Sequence, residues 1–346
     1  MTRPTQHTET RPTDTLPTTM HAVVQRGYGG PEVLVDERID VPSPGRGEVL
    51  LEVHAAGIDR GTWHLMTGTP QLVRLFLGWR GPRGDYVVGR DVAGRVVRVG
   101  EGVTRFGPGD LVFGSAQGSL AEYAVAAEAK LGRQPAGAEP TAAAVLAISG
   151  LTALHALDAA RVGAGDRVLV TGASGGVGSY VVQLAVARGA VVTGVCSAAK
   201  ADAVRSWGAA RVLDYATTDP TEGDEQYDVV VDIAGGTDLR RLRRVLAPRG
   251  TIVFVGAETG GDWTGGLGRP MRWALRMLLA RQRFVMLTAR EKAPADLARL
   301  AQAVTDGVLR PPVHAVHPLE ESRVAMTELD GGRVVGKLAI AVRPTA

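Results

Sequence analysis

A glycine-rich stretch at residues 171–180, TGASGGVGSY, lies between two apolar runs of the sequence. Its spacing matches the pattern G-x-G-x-x-G, with alanine in the first place. Gly175 and Gly176 would let the backbone approach an anion without an intervening Cβ, and Gly178 would let a helix pack closely on the preceding strand. A helix that begins there offers unpaired N–H groups and a partial positive charge. The stretch, including Val177, therefore predicts a binding site for the pyrophosphate of a dinucleotide.

The residues after the next apolar run indicate which dinucleotide is bound. In NAD-binding sites, an Asp or Glu about 20 residues further on binds the ribose hydroxyls. Here the strand-like run 191–196 is followed by Ser197, Ala198, Ala199 and Lys200, with no acid among them. The hydroxyl of Ser197 and the positive charge of Lys200 both suit a 2′-phosphate, so the sequence predicts NADP rather than NAD. The alternative for Lys200 is a solvated helix residue.

Two patterns divide the chain into elements that would hold this site. Between residues 146 and 285, continuous apolar β-branched runs alternate with helical stretches. This alternation predicts an α/β fold with a doubly wound parallel sheet that binds the dinucleotide. Residues 20–145 are mostly short strands between Gly/Pro turns, which predict a small antiparallel barrel, and residues 286–346 are expected to pack back onto it. Residues 1–19, rich in Thr and Pro, predict a disordered tail.

The composition excludes several classes of protein. The 346 residues carry a net charge of only +3, with basic residues scattered among acids, so no nucleic-acid partner is expected. The single cysteine, Cys196, excludes an internal disulfide and a multi-cysteine metal site. No apolar run reaches transmembrane length and the N-terminus has no secretory pattern, so we expect a cytoplasmic protein.

Several segments together resemble one known family. TGASGGVGSYVVQLAVARGAVVTGVCS is similar to the cofactor core of the medium-chain dehydrogenase/reductase superfamily, and most similar to its zinc-free quinone oxidoreductase branch. GRDVAGRVVRVGEGVTRFGPGDLVFG resembles the central barrel segment of that family. AAVLAISGLTALHAL resembles the entry to its cofactor domain, and GRVVGKLAIAV resembles its closing strand. The resemblance covers essentially everything after Met20.

The resemblance implies a fold and an activity. It implies a GroES-like β-barrel catalytic domain joined to a Rossmann NADP-binding domain, with the active site in the cleft between them. It also implies hydride transfer from NADPH to a small-molecule substrate, either a quinone or the C=C bond of an α,β-unsaturated carbonyl compound. A homodimer joined through the Rossmann sheet is expected on the same ground.

The resemblance also carries over to single residues. Thr152 matches a position near the nicotinamide, and Gly256 lies where the fifth Rossmann strand meets that ring. Tyr215 matches a tyrosine that helps to hold the 2′-phosphate. Arg60 stands where zinc-containing relatives have a pyrophosphate-binding Arg or His, and the alternative is a surface arginine.

The positions that hold catalytic zinc in alcohol dehydrogenases of the superfamily carry other residues here. The first falls on Asp59, and Arg90 and Asp91 replace the His-Glu of a Gly-His-Glu motif. The four closely spaced cysteines of the structural zinc site are also missing from the sequence. We therefore predict a site without metal. Such a site favours substrates whose product anion is delocalised, such as an enolate or a hydroquinone, because no metal stabilises the oxyanion.

Two titratable residues near that turn are the catalytic candidates. Similar quinone oxidoreductases usually carry Asn where this chain has Asp59. An Asp there would act as a general acid if burial raised its pKa, or it would repel an anionic intermediate. A further alternative is that it would only cap the following turn. His64 would donate a proton near neutral pH, and the alternative is a packed or exposed histidine.

Other functions stay open from the sequence alone. A metal-independent NADP-dependent alcohol or carbonyl oxidoreductase would use the same fold, and an NADPH-binding sensor would bind the cofactor with little turnover. The stretch 269–285 has an amphipathic helical pattern, which would suit contact with a membrane surface. The alternative is a helix packed on the protein or at a subunit contact. The predicted apolar face of this helix comprises Met271, Ala274, Leu275 and Leu278.

Overall fold

The computed structural model describes residues 16–69, 71, 74–82, 84, 86–256, 273, 281–287 and 290–343. The strands are β1 (Thr19–Gln25), β2 (Leu34–Asp40), β3 (Glu48–Ile58), β4 (Tyr86–Val87), β5 (Asp91–Val99), β6 (Leu111–Ser115), β7 (Tyr123–Ala127), β8 (Leu131–Arg133), β9 (Arg167–Thr171), β10 (Val191–Cys196), β11 (Arg211–Asp214), β12 (Tyr227–Asp232), β13 (Leu246–Phe254), β14 (Arg283–Met286), β15 (Val313–Pro318) and β16 (Lys337–Ala341). The helices are α1 (Arg60–Thr67), α2 (Arg74–Leu77), α3 (Pro140–Ala144), α4 (Ala147–Ala160), α5 (Gly176–Ala187), α6 (Ala201–Ser206), α7 (Leu239–Arg244), α8 (Pro294–Thr305) and α9 (Ser322–Asp330).

The second half of the chain forms a six-stranded parallel sheet. Its strand order is β11-β10-β9-β12-β13-β14, and all neighbouring strands run parallel. These strands are continuous apolar runs because both faces of the sheet are covered, and Val170, Val192 and Val231 have no exposed surface. The predicted doubly wound sheet is confirmed. The strand order reverses between β9 and β12, and this reversal opens a crevice at their carboxyl ends.

A seven-stranded sheet forms the barrel of the other domain. Its order is β15-β16-β3-β5-β6-β8, with β7 paired to β3, while β1, β2 and β4 form a smaller sheet. Antiparallel register places Asp91 of β5 opposite Gly57 of β3, and Leu338 of β16 opposite Ile58. The end of β3 and the beginnings of β5 and β16 therefore lie side by side. This edge of the barrel borders the cleft.

The chain returns from the parallel sheet to the barrel between β14 and β15. Helix α8 lies in this connection, and its Leu297 and Leu300 pack in the same buried cluster as Leu154 of α4. One apolar core thus continues from the Rossmann domain to the connection. The domain boundaries after residues 145 and 285 stay predictions.

The predicted disordered tail, residues 1–19, includes residues that the structure places against the barrel. Residues 1–15 lie outside the described residues, but Leu16 packs against the buried cluster that contains Met20 and Tyr123. The carbonyl of Thr18 accepts a hydrogen bond from Val41 N at 2.9 Å. Strand β1 begins at Thr19, opposite Asp40 of β2. The boundary at residue 19 is therefore wrong. Leu16 makes apolar contacts with the barrel, Thr18 accepts a hydrogen bond from Val41, and Thr19 already belongs to β1.

The predicted amphipathic helix at 269–285 is wrong at its C-terminal end. Its last residues belong to β14, which pairs in parallel with β13. Trp273 is helical and buried, with edge-to-face contacts to Phe254 at 6.0 Å and Phe284 at 5.9 Å between ring centroids. None of the helices in the described ranges is both long and apolar enough to cross a membrane. The residues of the predicted apolar face lie outside the described residues: Met271, Ala274, Leu275 and Leu278.

Candidate active site

The cleft between the barrel and the parallel sheet contains a cavity of about 450 Å³. The turn from β3 into α1, the glycine-rich turn before α5, the ends of β12 and β13, and the loop before β16 all border it. Most of the residues predicted from the sequence meet at this cavity. They are Asp59, Arg60, His64, Thr152, Gly175, Gly176, Val177, Lys200 and Gly256.

The glycine-rich turn has the form of a phosphate cradle. Helix α5 begins directly after Gly175, which is its N-cap residue. Among the described residues, no side chain caps this helix end. The first N–H groups of the helix are therefore available to an anion. A Cβ at Gly175 would meet only Gly172 O, at 3.5 Å, so the surface stays open, whereas a Cβ at Gly178 would lie 2.2 Å from the same oxygen. The turn fits the pyrophosphate of a dinucleotide.

Gly176 also lies close to a residue of the barrel. A Cβ at this position would lie 2.8 Å from Lys337 Cδ and 3.3 Å from Ser149 Oγ. The missing side chain thus makes room for a lysine from the barrel, and the approach of a diphosphate to Gly176 stays a prediction. The same lysine donates a hydrogen bond to Ser149 Oγ at 3.3 Å.

Lys337, the first residue of β16, places its ammonium group between two carboxylates. Its Nζ lies 2.6 Å from Asp91 Oδ2 and 3.2 Å from Asp59 Oδ2. The side chains of Lys337 and Asp91 are each 1% exposed, and that of Asp59 is 15% exposed. The other carboxylate oxygens accept backbone N–H groups at 2.9 Å, from Thr62 for Asp59 and from Ile148 for Asp91. One ammonium group, from β16, therefore contacts both the residue that follows β3 and the first residue of β5.

These contacts set the charge of each group. Burial would lower the pKa of the Lys337 ammonium, but both carboxylates raise that pKa above its ordinary value. Burial would raise the pKa of Asp59, but Lys337, the N–H of Thr62 and the guanidinium of Arg90 together hold it below its ordinary value. Burial raises the pKa of Asp91, and the attraction of Lys337 offsets this only in part. The cluster thus contains a lysine cation that two buried carboxylates share.

Asp59 does not meet the condition for a general acid. That role needs a raised pKa, and the pKa of Asp59 is lowered because Lys337 stabilises the carboxylate. Asp59 does cap α1, which is one of the alternative predictions. Its carboxylate accepts hydrogen bonds from Thr62 N and, at 3.2 Å, from Thr62 Oγ1. Since the side chain also borders the cavity, it presents a fixed negative charge there.

His64 and Arg60 lie on α1 and both border the cavity. Nδ1 of His64 is 2.8 Å from Thr69 O, so Nδ1 carries the hydrogen and Nε2 is the acceptor in the neutral ring. The guanidinium of Arg60 lies 5.2 Å from the ring centroid of Trp63 and 3.9 Å from a carboxylate oxygen of Asp330. Proton donation by His64 and pyrophosphate binding by Arg60 stay predictions.

The three residues predicted to bind a 2′-phosphate follow two neighbouring strands. Ser197 comes directly after β10 and Tyr215 directly after β11. Neither borders the cavity, and Tyr215 is 64% exposed beside a different surface depression. Lys200 does border the cavity, where its Nζ donates to the carbonyls of Gly332 at 2.6 Å and Val334 at 2.9 Å. A 2′-phosphate would therefore meet an ammonium group that already binds the loop before β16.

Thr152, Val177 and Gly256 border the cavity near the crevice of the parallel sheet. Thr152 lies on α4, and its hydroxyl donates to Ile148 O at 2.7 Å. Gly256 follows the end of β13 by two residues. Their predicted contacts with a nicotinamide ring stay predictions.

Sequence patterns do not single out Lys337. A lysine at the head of the apolar strand KLAIA is equally typical of an exposed strand end. Its partner Asp91 is 246 residues away in the sequence, so no local pattern links the two. Within the described ranges, no group of three or more His, Cys, Asp or Glu side chains is placed to hold a metal ion.

Comparison with known proteins agrees with this architecture. Residues 45–136 match the family model for the alcohol dehydrogenase GroES-like domain, and residues 207–340 match that for zinc-binding dehydrogenases. The chain is 33% identical over 339 residues to a chloroplastic quinone-oxidoreductase homolog of Spinacia oleracea, covering 93% of this chain and 98% of that protein. It is 31% identical over 336 residues, with the same coverage, to a chloroplast envelope quinone oxidoreductase homolog of Arabidopsis thaliana.

Solved structures give the same result. The quinone oxidoreductase from Coxiella burnetii superposes with a TM-score of 0.82 at 27% identity, covering 94% of this chain and all of that one (100%). A mycobacterial protein in complex with NADPH superposes with a TM-score of 0.78 at 26% identity, covering 93% of this chain and 100% of that one.

A GroES-like barrel packed against a parallel sheet with a dinucleotide cradle defines an oxidoreductase of the medium-chain dehydrogenase/reductase superfamily. Within that superfamily, the chain belongs to the quinone oxidoreductase branch. The resemblance in the sequence is thereby confirmed. The homodimer, the cytoplasmic location and the membrane contact stay predictions.

Proposed function

We propose that this protein transfers a hydride from NADPH to quinones or to α,β-unsaturated carbonyl compounds. The observation that carries the proposal is the shared cavity in which the cradle at Gly175 meets the barrel residues Asp59 and His64. The quinone oxidoreductases among the relatives and the NADPH in one solved neighbour support the acceptor class and the cofactor.

The described residues would hold the two halves of the cofactor at different strand ends. The N–H groups at the start of α5 would bind the pyrophosphate. The adenosine ribose and its 2′-phosphate would lie toward the end of β10, near Ser197 and Lys200. The nicotinamide half would lie toward the ends of β12 and β13, where Ile233 and Gly256 border the same cavity as Asp59.

NADPH, when bound, supplies the hydride, and the overall reaction with a quinone is quinone + NADPH + H⁺ → hydroquinone + NADP⁺. We assign delivery of the proton to His64 or to a water molecule in the cavity, because the pKa of Asp59 is lowered. Apolar side chains at the cavity wall would limit the access of bulk water to the transfer. They are Ile58, Ile148, Ile233, Val255 and Leu329.

We propose that the reaction needs no zinc. The Lys337 ammonium already lies between Asp59 and Asp91, the positions that the resemblance relates to zinc ligands of alcohol dehydrogenases. A metal cation at that place would therefore meet a positive charge. A hydroquinone or enolate spreads its negative charge over the molecule and needs less stabilisation than an alkoxide.

The purified protein is expected to oxidise NADPH in the presence of quinones or enals, and much more slowly with simple aldehydes. The loss of NADPH absorbance against a panel of acceptors measures this, with and without a chelator. Activity that disappears with the chelator would contradict the metal-free proposal. Tight NADPH binding without oxidation by any acceptor would contradict the reductase and would indicate a sensor instead.

Lys200→Ala is expected to weaken NADPH binding about tenfold and to change NADH binding little, because an ammonium–phosphate contact contributes roughly this much. Fluorescence titration with both cofactors measures the difference. Arg205→Ala is the matched control, since it removes an exposed cation from the neighbouring helix α6. An equal loss of affinity for NADPH and NADH would contradict the contact with the 2′-phosphate. Lys200 would then have only a structural role, through its hydrogen bonds to the carbonyls of Gly332 and Val334.

A further inference from the structure

Lys337 belongs to the barrel, but its side chain also contacts the cofactor domain. Its aliphatic part fills the space beside Gly176, and the preceding N–H, of Gly336, donates to Ser174 O at 2.8 Å. Its ammonium group, at the other end of the side chain, holds the carboxylate of Asp59 at the cavity wall. One residue thus links the predicted pyrophosphate turn to a charged group on the substrate side of the cleft.

The cluster around Lys337 has two carboxyl groups for one ammonium group. Each carboxyl group, of Asp59 and of Asp91, accepts an N–H on one oxygen and the ammonium on the other. The pKa of Asp59 is lowered by this arrangement, whereas burial raises the pKa of Asp91. Arg90 also acts on Asp59, but it is itself paired with Glu291. Buried charge of this kind costs free energy and is concentrated at functional sites.

The negative charge lies where half of the cofactor is expected. A dinucleotide with its pyrophosphate at Gly175 and its adenosine near β10 must extend its other half toward β12 and β13. Residues after both of those strands, Ile233 and Gly256 among them, border the cavity that the Asp59 side chain also borders. The nicotinamide half and Asp59 would therefore share one enclosed space.

We propose that Lys337 is a positioning residue for hydride transfer, which keeps Asp59 as a fixed carboxylate beside the nicotinamide half of the cofactor. The inference rests on the proposed function. A fixed negative charge in a cleft of low dielectric stabilises the positive charge that hydride loss leaves on the cofactor, so it favours reduction of the acceptor. The same charge opposes acceptors that carry a carboxylate, so uncharged quinones and enones are the expected substrates.

The test compares the affinities of the oxidised and the reduced cofactor, with no acceptor present. The dissociation constants of NADP⁺ and NADPH are measured by fluorescence titration from about pH 5.5 to about pH 8, the range in which histidine also titrates. Their ratio reports the charge near the nicotinamide, because the titration of the 2′-phosphate affects both forms and cancels.

Two variants are expected to change this ratio in different ways. Asp59→Asn keeps a good N-cap for α1 but removes the charge, so NADP⁺ should bind about tenfold more weakly relative to NADPH at every pH. Lys337→Met leaves two buried carboxylates without their cation, which raises the pKa of Asp59 and Asp91. Protons then bind as the pH falls, so the ratio of the NADP⁺ to the NADPH dissociation constant should rise toward low pH.

Other charged or titratable groups face this cluster or the cavity and could also affect the ratio of the two dissociation constants. Matched variants separate their effects from that of Lys337. Ser149→Ala removes one contact of Lys337 without changing its charge, so the ratio should stay as in the wild type. His64→Gln, combined with Lys337→Met, should leave the new pH dependence in place. The groups concerned are Asp91, Arg90, Tyr180, Arg60, His64 and Lys200.

A purely structural role for Lys337 gives a different result. Lys337→Met would then weaken NADP⁺ and NADPH equally and leave their ratio flat with pH, and this outcome overturns the proposal. An unchanged ratio in Asp59→Asn overturns it as well, and that variant decides the question if Lys337→Met does not fold. A protein that binds NADPH but reduces no quinone would refute the proposed function while leaving this test intact. If NADH is preferred, the same ratio is measured with NAD⁺ and NADH.

Discussion

Replacing Gly178 with alanine is expected to weaken NADPH binding by at least about a hundredfold, roughly 3 kcal/mol, and to destabilise the cofactor domain. A Cβ on Gly178 would lie 2.2 Å from Gly172 O and 2.7 Å from Ala173 Cα. Both neighbours are backbone atoms of the turn, so helix α5 has to move away from β9 to admit a methyl group. This movement takes the helix N-terminus away from the pyrophosphate that it would bind.

Fluorescence titration with NADPH and thermal unfolding of Gly178→Ala measure the two effects. Gly163→Ala is the matched control in the same domain, because a Cβ there would have no heavy atom within 4 Å. Wild-type NADPH affinity in Gly178→Ala would contradict both the close packing and the location of the cradle.

Asp91→Ala is expected to lower the free energy of unfolding by about 3–5 kcal/mol, the usual cost of removing one partner from a buried ion pair. Its carboxylate is 1% exposed and accepts from Lys337 Nζ and from Ile148 N. Without it, the lysine cation keeps Asp59 as its one charged partner among the described residues, and the N–H of Ile148 loses its acceptor. The loss should exceed that of most single substitutions.

Urea denaturation followed by tryptophan fluorescence measures this loss. Asp202→Ala is the matched control, since the Asp202 side chain is 100% exposed and pairs with Arg205 on the surface of its own helix. The control should change stability by less than about 0.5 kcal/mol. A loss of similar size in both variants would mean that the Lys337 cluster contributes little to the stability of the barrel edge.

The parallel sheet and its glycine-rich turn are predictable because the signals are local. A strand buried on both faces is a continuous apolar run, and a turn that admits no Cβ needs glycine. Strand β14 lacks such a signal, since its short run RFVM also continues the helical pattern before it. Its identity as a strand comes from parallel pairing with β13, a contact over more than thirty residues. Leu16 is similar, because no local signal predicts its packing against the buried cluster that contains Met20 and Tyr123.

The charge of the site is not predictable from the same patterns. The pKa of Asp59 depends on an ammonium group 278 residues further along the chain, so the sequence alone allowed either a raised or a lowered value. The match of Tyr215 to a family position fixes its place after β11 but not the direction of its side chain, which is 64% exposed outside the cavity. The backbone positions of Thr152 and Gly256 follow from the fold, and both border the cavity as expected.

The pairing of β3 with β16 has a consequence for the order in which the protein folds during synthesis. All strands of the parallel sheet lie between residues 167 and 286, so this sheet can form as a unit once they have left the ribosome. The complete barrel has to wait for residues 337–341, which supply both the strand between β15 and β3 and the counter-ion of Asp59. Until then, Asp59 and Asp91 remain in water, where a carboxylate needs no partner. We therefore expect the cleft between the barrel and the parallel sheet to assemble last, after the parallel sheet itself.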